Sequence, residues 1–224
     1  MGRKYQDGST EVVVTLVIAL VVGVIGGYLV GNHMHTKNAS VAPTSATKAA
    51  DLRANLVTLG VQHMNLVDQA VNAALDGDKD ASAVAGVLYQ NGNDIGAAVG
   101  SVYGKDAETT FDGVWKLHLD QFVNYAVADS KGDANGKQAA LDAISNGYTK
   151  PLAQYLAKAN PNLPEATLES ALAEHVKMTA QIIDEHVQGN YQAEANDLRM
   201  ADQHIAGIFS TLTEGIVKQY PAKF

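Results

Sequence analysis

The sequence contains no cysteine. That excludes disulfides, thiolate metal ligands and a cysteine nucleophile. Proline is scarce, at five in 224 residues, which leaves long segments free to run as unbroken helix. Aromatic residues make up only 6% and charged residues 18%, so a core must be built mainly from aliphatic side chains. Basic residues are in the minority, 16 Lys and Arg against 24 Asp and Glu, for a formal charge of −8. Phosphate binding requires a basic face, and no nucleic-acid partner is expected. The common catalytic signatures are missing too. There is no His-Glu-x-x-His, which excludes a zincin site, and no Glu-x-x-His, which excludes a ferritin-like di-iron pattern. Gly100 to Lys105 is one residue short of a phosphate loop, and Asp106 stands where Ser or Thr is needed. Asp76, Asp78 and Asp80 open like a calcium loop, but no glutamate closes it. Neither a catalytic residue nor an organic cofactor site is expected, and the chain reads as a non-enzyme.

What is present first is one long apolar run, Glu11 to Gly31, with no charge and no proline from Val12 to Val30. About 20 residues at about 1.5 Å each match the hydrocarbon core of a bilayer. Arg3 and Lys4 precede it, which favours a cytoplasmic N-terminus. The run exceeds the length of a signal-peptide core, about 7–15 residues. The nearest small-x-small site, Ser40-Val41-Ala42, lies well downstream and is followed by Pro43. An uncleaved anchor is therefore expected. The spacing from Gly8 to Glu11 is too short for a prepilin pattern. Gly23, Gly27 and Gly31 recur on one face, where a second copy of the helix could approach closely, so self-association is one reading of it. The alternative is the general abundance of glycine in membrane helices. The chain thus divides into a cytoplasmic tail (1–10), a transmembrane anchor (11–31), a polar linker (32–49) and an extracytoplasmic domain (50–224), in a single-pass cell-membrane protein.

From Ala50 onward the periodicity is helical. Six helices are expected, near 50–76, 81–102, 107–129, 135–158, 165–188 and 192–218, and no segment alternates long enough to be a strand. Pro164 and Glu165 suit the first turn of the fifth. Gly92, Gly96 and Gly100 form a helix stripe suited to close packing. The six helices read as three copies of one hairpin. Each copy has a histidine-centred first helix, at His63, His118 and His175. Each then turns through a glycine flanked by polar residues, at Gly77, Gly132 and Gly189. Asn91-Gly92 and Asn146-Gly147 also correspond. The expected architecture is all-α: one membrane helix followed by an antiparallel bundle of about six helices.

Asn93-Asp94-Ile95-Gly96, Tyr103-Gly104, Asn160-Pro161-Asn162, Glu174-His175 and the closing Gln219-Tyr220-Pro221 with Phe224 carry a resemblance. Over residues 50 to 224 the chain resembles a group of bacterial extracytoplasmic all-helical proteins. The resemblance implies an exported helical domain and implies no activity.

The histidines are the most informative residues. At about 100° per residue, His63 falls in the middle of the stripe Leu52, Leu56, Leu59, Leu66 and Ala70. His118 falls among Phe111, Trp115, Phe122 and Tyr125, and His175 among Leu168, Leu172, Thr179 and Ile182. His204 flanks the core stripe of the sixth helix. Three corresponding helices thus each aim an imidazole inward. Neutral imidazole is the commonest metal ligand, and bundle cores are where such sites are built. His63, His118, His175 and His204 are the expected ligands of a copper or zinc ion. Glu174 or Asp197 would orient a ring from outside, and His186 is a further candidate. Every methionine except Met1 lies within four residues of a histidine, and thioether with imidazole suits copper. His33 and His35 could form a weaker surface site. The alternative is that each core histidine is hydrogen-bonded separately, with Tyr89, Tyr125, Tyr155, Thr58 and Thr179 available as partners. The protein would then be a non-catalytic envelope protein binding a protein partner or a small molecule, with an apolar groove between helices as the place for it. Neither reading names a protein partner.

Overall fold

The first helix begins at a threonine cap: Thr47 Oγ1 accepts a hydrogen bond from the backbone N–H of Ala50 at 3.1 Å, satisfying an otherwise orphan donor. The computed structural model describes residues 47–224. The tail, the apolar run 11–31 with Gly23, Gly27 and Gly31, and His33 and His35 lie outside the described residues. Six helices follow one another: α1 (Lys48–Asp76), α2 (Ala81–Tyr103), α3 (Lys105–Ser130), α4 (134–159), α5 (Glu165–Val187) and α6 (Tyr191–Gln219), with a short 3-10 turn at Pro221–Lys223. No strand occurs among the described residues. None of the described helices is long and apolar enough to cross a membrane.

The helix ends fall within a few residues of those expected. Pro164 takes the cap position, one residue before the first turn of α5, where its missing N–H costs nothing. The fourth helix differs in kind. It runs as Ala134–Ile144, widens to a π turn at Ser145–Thr149, and resumes as Lys150–Ala159. One extra residue is absorbed there, which pure 3.6 periodicity does not disclose.

The three hairpin turns are built alike. Gly77, Gly132 and Gly189 have φ of 72°, 67° and 73°, a left-handed conformation that costs other residues roughly 1–2 kcal/mol. The next residue closes each turn in the same way, with Asp78 N–H to Ala73 O at 2.9 Å, Asp133 N–H to Ala128 O at 2.9 Å and Asn190 N–H to Glu185 O at 2.8 Å. This is the hydrogen bond that terminates a helix on a glycine.

The first helix of every hairpin lies at the centre: α1, α3 and α5 touch one another, while α2 packs between α1 and α3, α4 between α3 and α5, and α6 between α5 and α1. The glycine stripe of α2 makes one of these seams. A Cβ at Gly92 would meet Trp115 at 2.8 Å, and Gly96 and Gly100 face Asp112 and Glu108 in the same way. From His63 to Gly77, from His118 to Gly132 and from His175 to Gly189 the separation is 14 residues in each case. At about 1.5 Å per residue, all three imidazoles stand at one level, about 21 Å from their turns.

Gly132→Ala should lower stability by about 1–2 kcal/mol. Gly113→Ala and Gly207→Ala have the opposite sign: both are exposed helix positions with open space around them, where alanine gains up to about 1 kcal/mol. Urea unfolding of the three variants checks the contrast.

Candidate metal centre

His63, His118 and His175 meet at the centre of the bundle. Each offers a ring nitrogen, and the three atoms lie within 4.8 Å of one another. Ring centroids are 5.6 Å apart for His63 and His118, 6.0 Å for His63 and His175, and 6.5 Å for His118 and His175. Their exposures are 0%, 0% and 1%. None of the six ring nitrogens has a hydrogen-bond partner within the protein. Leaving buried polar groups unpaired costs about 1–3 kcal/mol each.

The surroundings are aromatic and apolar. Trp115 sits against both His63 and His118, at 4.8 and 4.7 Å between centroids. Tyr148 stacks on His118 at 4.2 Å with the planes 21° apart, and it is the π turn of α4 that carries Tyr148 there. Asn91 of α2 is the polar neighbour of His63. Its Nδ2 donates to Leu59 O at 3.1 Å. Its Oδ1, like both ring nitrogens of His63, has no hydrogen-bond partner.

Burial holds all three rings neutral. It depresses the pKa of His63 to about 3, with His175 adding to the effect and Asn91 opposing it. His175 falls to about 4 through burial and then His204. His118 lies well below the usual imidazole value through burial, His63 and His175. Three neutral rings carry their lone pairs free for a cation.

The other expected members go elsewhere. His204 is only partly buried, and its Nε2 lies 2.9 Å from Ala171 O; it borders His175 without joining the group of three. Glu174 is exposed and paired with Lys177 at 3.1 Å. Asp197 accepts from Gln181 Nε2 at 2.8 Å. Neither carboxylate orients a ring. Met200 is 44% exposed and Met64 is buried, lining a small space with Val67, Val71, Thr179 and Ile183.

His186 belongs to a second cluster. Its Nδ1 lies 3.1 Å from Glu194 and its Nε2 3.4 Å from Asp76. Asn72 Nδ2 donates to the same Glu194 at 2.6 Å. Burial and the Glu194 charge raise Asp68 to about 6. This cluster ties the end of α1 to the start of α6. Three of the five hydroxyls thought available to the histidines are used elsewhere: Tyr89 OH donates to Asp120 and Tyr125 OH to Asp184, both at 2.7 Å, and Thr179 Oγ1 to the backbone carbonyl of His175 at 2.9 Å.

Sequence reasoning missed Asn91 and Tyr148 as neighbours of the site. The signal for Asn91 was its place 28 residues after His63, matched by Asn146 after His118. The π turn breaks that correspondence and brings Tyr148 inward instead. By fold and site, the described residues form a six-helix bundle of three hairpins closed around a buried histidine triad. Comparison of the chain with protein-family models, with curated proteins and with solved structures found no match.

The triad makes a pH prediction for metal-free protein. Unfolded, each imidazole binds a proton near pH 6.5, whereas in the fold His63 and His175 stay neutral down to about 3 and 4. The unfolded state therefore binds more protons in this window, and stability is full above it and falls as pH drops. Asp68 works in the opposite sense, because its raised value lets the fold bind a proton first. Asp112 and Asp202, also raised by burial, act with Asp68 as pH falls further, so the three rings leave a net loss of up to about 3 kcal/mol per pH unit between roughly pH 6 and 5. Urea midpoints of chelator-treated protein should fall steadily from pH 7 to 5; a flat profile would show that the rings protonate in place.

Proposed function

We propose that this protein is a membrane-anchored extracytoplasmic helical bundle that holds one transition-metal ion, copper or zinc, between His63, His118 and His175. The observation that carries the reading is the convergence of three buried imidazoles whose six nitrogens are all unpaired in the protein. Three such groups would cost about 3–9 kcal/mol, comparable to the net stability of a typical domain. An ion would engage one nitrogen of each ring. Metal–nitrogen bonds of about 2.0–2.1 Å place three trigonal ligands about 3.5 Å apart, so each ring need move inward by less than about 1 Å.

The ion would bind α1, α3 and α5 together, one ligand from each hairpin. Ligands at 0–1% exposure favour a resident ion over one in rapid exchange, because release requires the helices to part. This suits a role in holding or sensing the metal. Residues 11–31 supply the anchor, with the tail 1–10 on the cytoplasmic side and the bundle outside. Catalysis is no part of the reading.

A second reading draws on a different feature. Between α1, α2 and the end of α3 runs an apolar groove of about 330 Å³, lined by Val67, Val71, Leu75, Leu88, Phe122 and Val127 among others. It suits an envelope protein that binds a small apolar molecule or a partner. That reading also expected histidines satisfied one by one, which the unpaired nitrogens do not favour.

The test is the metal content of the full chain purified in mild detergent. About one copper or zinc per chain is expected, lost in His63→Ala/His175→Ala and retained in His204→Ala. Restoring the ion to stripped protein at a hundredfold excess over Kd should add about 2.7 kcal/mol to stability. No metal at any stoichiometry, with helicity intact, would overturn the reading and leave the groove as the place to search.

A further inference from the structure

Resting on that reading, we infer that the ion is Cu(I), in preference to Zn(II) or Cu(II). Three observations carry this: the number of ligands, the charge around them, and the seal.

The ligand set ends at three. Among the described residues, the histidine and carboxylate side chains that converge at the site are His63, His118 and His175, with no carboxylate and no fourth histidine in the group. They come from three helices that meet around one centre, at one level along the bundle. Such a set is trigonal. Cu(I) is a filled-shell ion content with three nitrogens. Zn(II) completes four positions, usually with a water when the protein supplies three, and Cu(II) prefers a tetragonal arrangement that three helices around a centre do not offer.

The charge balance points the same way. The three rings lie against one another and against Trp115 and Tyr148, and no carboxylate belongs to the group. Three neutral imidazoles leave the full charge of the ion uncompensated. The cost of burying charge grows with its square, so a divalent ion is penalised about four times as heavily as a monovalent one. Divalent sites ordinarily soften this with carboxylates bonded to their histidines. Here the outer positions hold an amide, an indole and a phenol: Asn91, Trp115 and Tyr148.

The seal removes the remaining route. The ligands are 0–1% exposed and Trp115 and Tyr148 are 5% and 1% exposed, so a water serving as fourth ligand would itself be buried among rings.

Asn91 is the residue that can reverse the preference. Asn91→Asp is nearly isosteric and places a negative charge beside His63, at the cost of the hydrogen bond to Leu59 O. It leaves all three ligands in place.

The experiment titrates the stripped full chain, in mild detergent without oxygen, with Cu(I) against a chromogenic Cu(I) chelator and with Zn(II) against a chromogenic zinc chelator. One Cu(I) per chain is expected, bound at least a hundredfold more tightly than Zn(II), with three nitrogen neighbours by X-ray absorption. Asn91→Asp should narrow that ratio at least tenfold, and His118→Ala should abolish tight Cu(I) binding. Zn(II) bound as tightly as Cu(I), or a ratio unmoved by Asn91→Asp, would overturn the choice of ion while leaving a histidine metal site standing. Binding of neither ion, or Cu(I) retained unchanged in His118→Ala, would overturn the site as well.

Discussion

Everything in this fold turns on what the centre of the bundle must accommodate. Three helices meet there, and each brings a polar ring where a leucine would ordinarily sit. The interior can hold those rings only uncharged, because no opposite charge is near them. It has kept them so by burial, with depressed pKa values at His63 and His175. The neutral state is what makes them ligands. The same burial that makes the triad costly as isolated polar groups makes it suited to a cation that all three can share.

The repeat explains how one chain delivers three rings to one point. A fixed 14-residue separation between histidine and turn glycine converts a sequence period into a height. The turn sets the end of each hairpin, the helix rise sets the distance, and the apolar stripe sets the direction. No one of the three suffices. An imidazole one residue away along the helix would point about 100° off the centre.

This is also why so much was legible. Helix limits followed from glycine turns and polar breaks, and the inward direction of His63, His118 and His175 from periodicity alone. Three kinds of feature were not legible, for physical reasons. His204 sits at the edge of its stripe, where a small rotation decides between centre and rim, and it found the carbonyl of Ala171. Glu174 and Asp197 are adjacent in sequence or register to site residues, but their carboxylates meet Lys177 and Gln181 instead. The π turn at Ser145–Thr149 shifts the rest of α4 by one residue, and a windowed period cannot register a single inserted residue. The position that moved inward, Tyr148, was therefore hidden, and the exposed Asn146 was taken as the match to Asn91.

That inserted residue has a consequence for assembly. Three similar hairpins, each able to present the same face to the same centre, could in principle exchange places between two copies of the chain or dock in the wrong order. The second hairpin is keyed. Only it carries the widened turn, and only its Tyr148 fits flat on His118. A neighbour in that slot would bring the wrong surface to the ring. The irregularity in α4 thus gives the second hairpin a surface at the centre that the other two lack.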